Sequence, residues 1–130
     1  MAINITPTVF KSGFFSPSAA GDVAGWAPAA GKKFRLLRYI LEFPYGNAIL
    51  TGGKLFTVFL KDGATTIAGL TTTLWIPASV GGLGAYVVDR DLGNGYLSLA
   101  VDNVLSLNVD GALNQTATNG FRIVAMGTEE

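Results

Sequence analysis

Two groups of residues in this chain carry charge at spacings that suit chemistry. Asp89-Arg90-Asp91 puts two carboxylates on one side of an extended chain, with a guanidinium between them. Such a pair could bind calcium or act as acid and base. A cation needs further oxygen ligands, however, and a general acid needs a raised carboxylate pKa. The neighbouring residues supply neither, so the plainer expectation is a solvated turn in which the carboxylates pair with Arg90. The second group is Lys32, Lys33, Arg35 and Arg38, within GKKFRLLRYILEF, residues 31 to 43. Four basic residues with no aromatic platform beside them make a poor nucleic-acid site. They read as a protein-interface rim meeting acidic residues on a neighbouring subunit.

Other chemistry is excluded by composition. The 130 residues include no cysteine and no histidine. That removes thiolate nucleophiles, disulfides, Ser-His-Asp triads and imidazole ligands for zinc. No cofactor or metal is expected, and no enzyme. Trp26, Trp75, Tyr86 and Tyr96 could form a sugar-stacking platform, but aromatic residues more often fill cores or anchor interfaces. Asn4-Ile5-Thr6 and Asn114-Gln115-Thr116 match glycosylation acceptors. The start MAINITPTVFKSG has no basic segment followed by an apolar one, so no signal peptide is expected and these matches read as chance.

Charged residues make up only 14% and hydrophobic ones 49%, against a usual charged fraction of about 25%. So few charges cover a lone domain poorly, which favours association. Nine basic residues balance nine acidic ones, leaving no overall field to hold nucleic acid. Residues 1–61 hold seven of the basic residues and two of the acidic; residues 62–130 hold the reverse. The split either vanishes when strands interleave or leaves complementary patches for self-assembly.

The elements that must position these groups read as strands throughout. Candidates are Ile3–Phe10, Val23–Ala27, Phe34–Phe43, Leu55–Lys61, Thr65–Leu70, Thr73–Pro77, Ala85–Asp89, Tyr96–Ala100, Val104–Val109 and Phe121–Met126. Turn signals recur at Gly52-Gly53, Asp62-Gly63, Gly81-Gly82, Asn94-Gly95, Asp110-Gly111 and Asn119-Gly120. Many short strands indicate a sandwich or jelly roll. Leu105, Leu107 and Val109 alternate inward against Ser106 and Asn108, and Phe121, Ile123 and Ala125 repeat that period. Phe34–Phe43 is harder to place. Leu37, Tyr39, Leu41 and Phe43 share one face, while Phe34, Leu36 and Ile40 share the other. Both faces ask for cover, by the core and by an arm or a second subunit. Residues 63–88 are 26 residues without a charge, long enough to span a membrane on length alone. Five glycines, five threonines and Pro77 interrupt the run, so strands are expected and no membrane partner.

Taken in order, VAGWAPAAGKKFRLLRYILEF, FLKDGATTIAG, NGYLSLAVDNVLSLNV and the closing GFRIVAM resemble a small virion-protein family of tailed bacteriophages, over roughly residues 22 to 126. The resemblance implies a jelly-roll capsid decoration, head-associated or tail-associated protein, frequently trimeric. The chain departs from that pattern at EFPYGNAILTGGK, which is longer than the usual turn. It departs again where Asp102-Asn103 replaces a glycine.

The expected fold is therefore all-β, an antiparallel jelly-roll sandwich over residues 31–130 with an extended N-terminal arm over residues 1–30. That arm holds Pro7, Pro17 and Pro28 and isolated aromatics, which suits an extended segment pinned at a few points. Phe10, Phe14, Phe15 and Trp26 are its expected interface anchors. The expected function is a capsid decoration (cement) protein that forms homotrimers on the major capsid protein or another virion protein. It would be made in the host bacterial cytoplasm and reside in the virion. The alternative is a tail- or fibre-associated module binding carbohydrate or a receptor.

Overall fold

The structure is a computed structural model and describes residues 5–15, 20–43, 54–76, 86–111 and 121–130. Eight strands form: β1 (Val9–Phe15), β2 (Gly21–Trp26), β3 (Phe34–Phe43), β4 (Lys54–Asp62), β5 (Thr65–Ile76), β6 (Tyr86–Leu97), β7 (Leu105–Val109) and β8 (Phe121–Glu129). They make two antiparallel four-stranded sheets, ordered β1-β8-β3-β6 and β2-β7-β4-β5. The pairing is nested. β1 pairs with β8, β2 with β7, β3 with β6 and β4 with β5, so one half of the chain runs back along the other. Contacts β3–β8 and β4–β7 then join these ribbons into sheets. No helix occurs among the described residues, and so none is long and apolar enough to cross a membrane.

Both sheets feed one core, the mark of a β sandwich. The first contributes Phe34, Leu36, Tyr39, Leu41, Ile123 and Ala125; the second contributes Trp26, Val58, Leu60, Ile67, Leu70, Leu105, Leu107 and Val109. The inward alternation expected of Leu105, Leu107, Val109, Ile123 and Ala125 is what the sheets bury.

Apart from Ile40, which faces outward opposite Val124, the described apolar residues of both β3 faces have one destination. Opposite β8, the register shifts between Leu36 and Arg38, so Leu37 is an extra residue in β3. A bulge of this kind resets the alternation. Phe34 and Leu36 before it, and Tyr39 and Leu41 after it, therefore all enter the same core. The expected second cover for a second apolar face is not required by these residues. Leu37 is itself buried, packing over Gly95 of β6, where an added Cβ would lie 2.7 Å from Leu37 Cδ2.

Several strand boundaries differ from expectation for related reasons. Thr65–Leu70 and residues 73–76 of the expected Thr73–Pro77 are parts of one strand, β5, bent by an irregularity that includes Gly69 in a left-handed conformation. Residues 86–89 of the expected Ala85–Asp89 and residues 96–97 of the expected Tyr96–Ala100 likewise belong to β6, interrupted opposite the β3 bulge, whereas residues 98–100 lie beyond its end. The described part of the N-terminal segment is not a detached arm. Phe10 pairs with Met126 and Val23 with Leu107, so β1 and β2 extend the two sheets. The prolines that suggested an arm flank these strands rather than interrupting them. The Gly52-Gly53, Gly81-Gly82 and Asn119-Gly120 turns, the longer segment at 42–54 and both N-x-T tripeptides lie wholly or partly outside the described residues.

Candidate functional site

One end of the sandwich gathers residues 27–33 between β2 and β3, the β4–β5 turn, residues 98–104 between β6 and β7, and the C-terminal residues. Its organiser is Asp62. Inward alternation along β4 points Val58, Leu60 and Asp62 the same way, and the carboxylate ends 1% exposed. An isolated charge there would be costly. Here Oδ1 accepts from Ser98 Oγ and Asn103 Nδ2, each at 2.8 Å. Oδ2 accepts from the Tyr96 hydroxyl at 2.8 Å and the Leu99 N–H at 2.7 Å. Burial pushes the Asp62 carboxyl up, but the hydrogen bonds from Leu99, Ser98, Tyr96 and Asn103 together hold it below its usual value. The Tyr96 phenol is pushed up to about 12 by burial, with the hydrogen bond to Asp62 and its charge adding to the effect.

The 98–104 connection is tied at further points. Ser98 N donates to Phe34 O at 2.9 Å, Asp102 N to Lys32 O at 2.8 Å, and Gly63 N to Val104 O at 3.0 Å. Asp102 adopts φ +62, the left-handed region in which glycine is usual and aspartate tolerated. Its carboxylate accepts from Gly31 N at 2.6 Å, which fixes it there. The departure from glycine at this position thus has a local compensation. The C-terminus closes the same end. Lys33 and Glu130 exchange backbone hydrogen bonds, and Glu129 accepts from Ala29 N at 3.2 Å.

This scaffolding holds apolar side chains out to solvent. Leu99 is 63% exposed, Val101 51% and Val104 36%. A connection with so many fixed points loses little entropy on docking, which favours use as a binding surface.

The expected site residues are divided among several places. Lys32 and Lys33 lie at this end, and Lys33 Nζ donates to Leu99 O at 3.2 Å. Arg35 pairs with Glu130 and also donates to Asn94 O at 3.2 Å. Arg38 lies on the outer face of the first sheet, paired with Asp89 through Nε at 2.8 Å. The four cations are not a single rim, and both arginines find their carboxylates within the chain. Trp26 is no surface anchor: it is fully buried, its ring 5.5 Å from Phe34. Phe10 is 65% exposed on β1. Phe14 and Phe15 pair with Arg122 and Phe121 through their backbones, and their side chains lie outside the described set.

Asp89-Arg90-Asp91 is part of β6 rather than a turn. Arg90 opposes Tyr39 and reaches across the open edge of the sandwich, donating to Gly69 O at 3.2 Å and Thr71 O at 3.5 Å. The expected pairing of Arg90 with its two neighbours gives way because alternation sends it to the opposite side of the strand. No cluster of three or more metal-ligating side chains occurs among the described residues. Asp62 was missed in the sequence because Asp-Gly reads as a turn. Its inward phase with Val58 and Leu60 was the available signal. No protein-family model matches the chain, and no curated protein matches it.

Proposed function

We propose that this chain is a non-enzymatic structural protein of a tailed-phage virion, a homotrimeric cement protein that binds and stabilises the head surface. Three features support the reading. The ordered motifs quoted above resemble that family. The nested pairing and the sheet orders β1-β8-β3-β6 and β2-β7-β4-β5 suit a jelly roll, a long antiparallel ribbon rolled into two sheets. The observation that carries most weight is the apolar connection of Leu99, Val101 and Val104, presented on a frame fixed by Asp62.

Fully burying a Val or Leu side chain contributes about 1.5–3 kcal/mol. A trimer engaging a repeating lattice multiplies such modest contacts. The head lattice is the proposed partner, and the virion the proposed location after synthesis in the host cytoplasm. Burial of Trp26 counts against a sugar platform that includes it.

The test is co-sedimentation of the purified protein with empty capsids of the same phage. Wild type should pellet with capsids, and the Leu99→Asp/Val101→Asp variant should not, while keeping its far-ultraviolet circular dichroism. Equal binding by a folded double variant would move the attachment surface elsewhere. No binding by wild type would remove the head-surface role.

A further inference from the structure

The two sheets end in four edge strands, β1 and β6 in the first and β2 and β5 in the second. Three of them carry charge: Lys11 in β1, Asp22 in β2, and Asp89, Arg90 and Asp91 in β6. β5 does not. Its 12 residues, TTIAGLTTTLWI, include five threonines and two isoleucines, and neither a charge nor a proline. A long, uncharged edge of β-forming residues is a template on which other chains can add strands. Proteins blunt such edges with charge, proline or a covering group.

Here the covering group comes from the other sheet. Val88, Arg90 and Leu92 alternate inward along β6, and Val88 and Leu92 pack against the core. Arg90 takes the same direction and ends at β5, where Nη1 donates to Gly69 O at 3.2 Å and Nη2 to Thr71 O at 3.5 Å. The hydrogen-bonded neighbour of β5 is β4. Carbonyls reached from β6 are therefore among the acceptors that an added strand would take. Among the described residues Arg90 has no carboxylate partner. Its planar fork of donors can thus serve two carbonyls at once.

We infer that Arg90 caps the free edge of β5 and keeps other chains from adding a strand to it. The inference goes beyond the proposed head-binding role, because it concerns a contact within the chain. The cap acts in two ways. It occupies acceptors that a new strand needs, and it sets an inward-pointing cation where that strand would lie. Without it the run Leu70–Ile76 is open to pairing, seven residues with no charge, proline or glycine.

Arg90→Met tests this, because methionine keeps an unbranched stem and removes every donor. Light scattering across roughly micromolar to submillimolar concentration compares its mass with that of wild type. At the upper end the variant should reach roughly twice the wild-type mass or more. Backbone alternation turns the Thr71 and Thr73 N–H groups to the same edge, so their hydrogen exchange should slow as the variant associates. Adding Thr71→Lys, a charge at an exposed edge residue, should return the mass to that of wild type. Thr71→Lys alone should leave the mass unchanged. A folded Arg90→Met with wild-type mass makes the contact a staple between the sheets and overturns the inference. Association that persists in the double variant overturns it too, since another surface is then responsible. So does a fall in mass for Thr71→Lys alone, because wild type would then already pair through β5. Should Arg90→Met fail to fold, Arg90→Ala takes its place and is read in the same way. Capsid binding by wild type bears on none of these outcomes.

Discussion

Trp26 Nε1 donates to Glu129 Oε1 at 3.0 Å across 103 residues of sequence. The contact ties the end of β2, in one sheet, to the end of β8, in the other. The indole is fully buried, and its only polar atom reaches the rim where a carboxylate waits. That hydrogen bond is the leading cause holding Glu129 below its usual value. Beneath the ring lies Gly127, where an added Cβ would come within 3.0 Å of the indole and 1.9 Å of Arg35 O.

Gly127→Ala should therefore be among the most damaging small substitutions. The clash is with backbone carbonyl at the β3 bulge, so no side-chain rotation relieves it. Overpacking commonly costs about 1–3 kcal/mol, and this position should reach about 3 kcal/mol. Urea unfolding measures it. A loss under about 0.5 kcal/mol would mean that the strands separate easily here.

The sequence made the sandwich legible where alternation was regular, as in Leu105, Leu107 and Val109. It misled where alternation broke. The phase of β3 changes at Leu37, and no residue type marks that position, because the extra residue is defined only against β8. The apolar excess on β3 then looked like a second surface. Trp26 looked like an isolated anchor among small residues, since its partners Phe34 and Glu129 are remote in sequence. Asp62 hid inside a turn signal. The misses at Leu37 and Trp26 concern long-range contacts that a local pattern cannot carry, whereas Asp62 had a local signal in its inward phase with Val58 and Leu60.

Asp62→Ala removes the acceptor from four donors at once. Hydrogen bonds to a charged group contribute about 1.5–3 kcal/mol each and do not add independently. A total loss of about 3–5 kcal/mol is expected, with faster amide exchange at Leu99 than at Leu107. Equal protection at both amides would show that the connection holds without the carboxylate.

The pH dependence has two limbs. The Asp62 carboxyl lies below its ordinary value of 3.8, so its contribution is intact above about pH 4 and is lost as pH falls further. Tyr96 lies at about 12 rather than 10.0, so the neutral phenol's contribution is intact below pH 10 and fades between 10 and 12. Denaturant titrations of wild type and Tyr96→Phe should converge over that alkaline interval. Parallel curves would detach Tyr96 from the effect.

The bulge allows a register test by deletion. Removing Leu37 restores plain alternation, leaving Phe34, Leu36, Tyr39 and Leu41 inward at the expense of one buried leucine. Removing Ile40 instead turns Leu41 outward and Glu42 inward. The first deletion should fold with a lowered melting temperature, and the second should not fold. Indistinguishable behaviour in thermal melts would mean that Leu37 is not the extra residue.

Deletion of residues 1 to 20 tests whether the N-terminal segment belongs to the domain. It removes β1 entirely, and with it the pairing from Val9–Gly127 to Phe15–Phe121. β8 then becomes an edge strand of nine residues, Phe121–Glu129, with its backbone groups unpaired on one side. Such an edge is a template for pairing with other chains. Val9, which packs against the core, is lost as well. The truncated chain should therefore aggregate or melt well below wild type, rather than keep its fold and lose only a binding function. A soluble, monodisperse product with an unchanged melting temperature would show that β1 is an attached arm and that the remaining seven strands suffice.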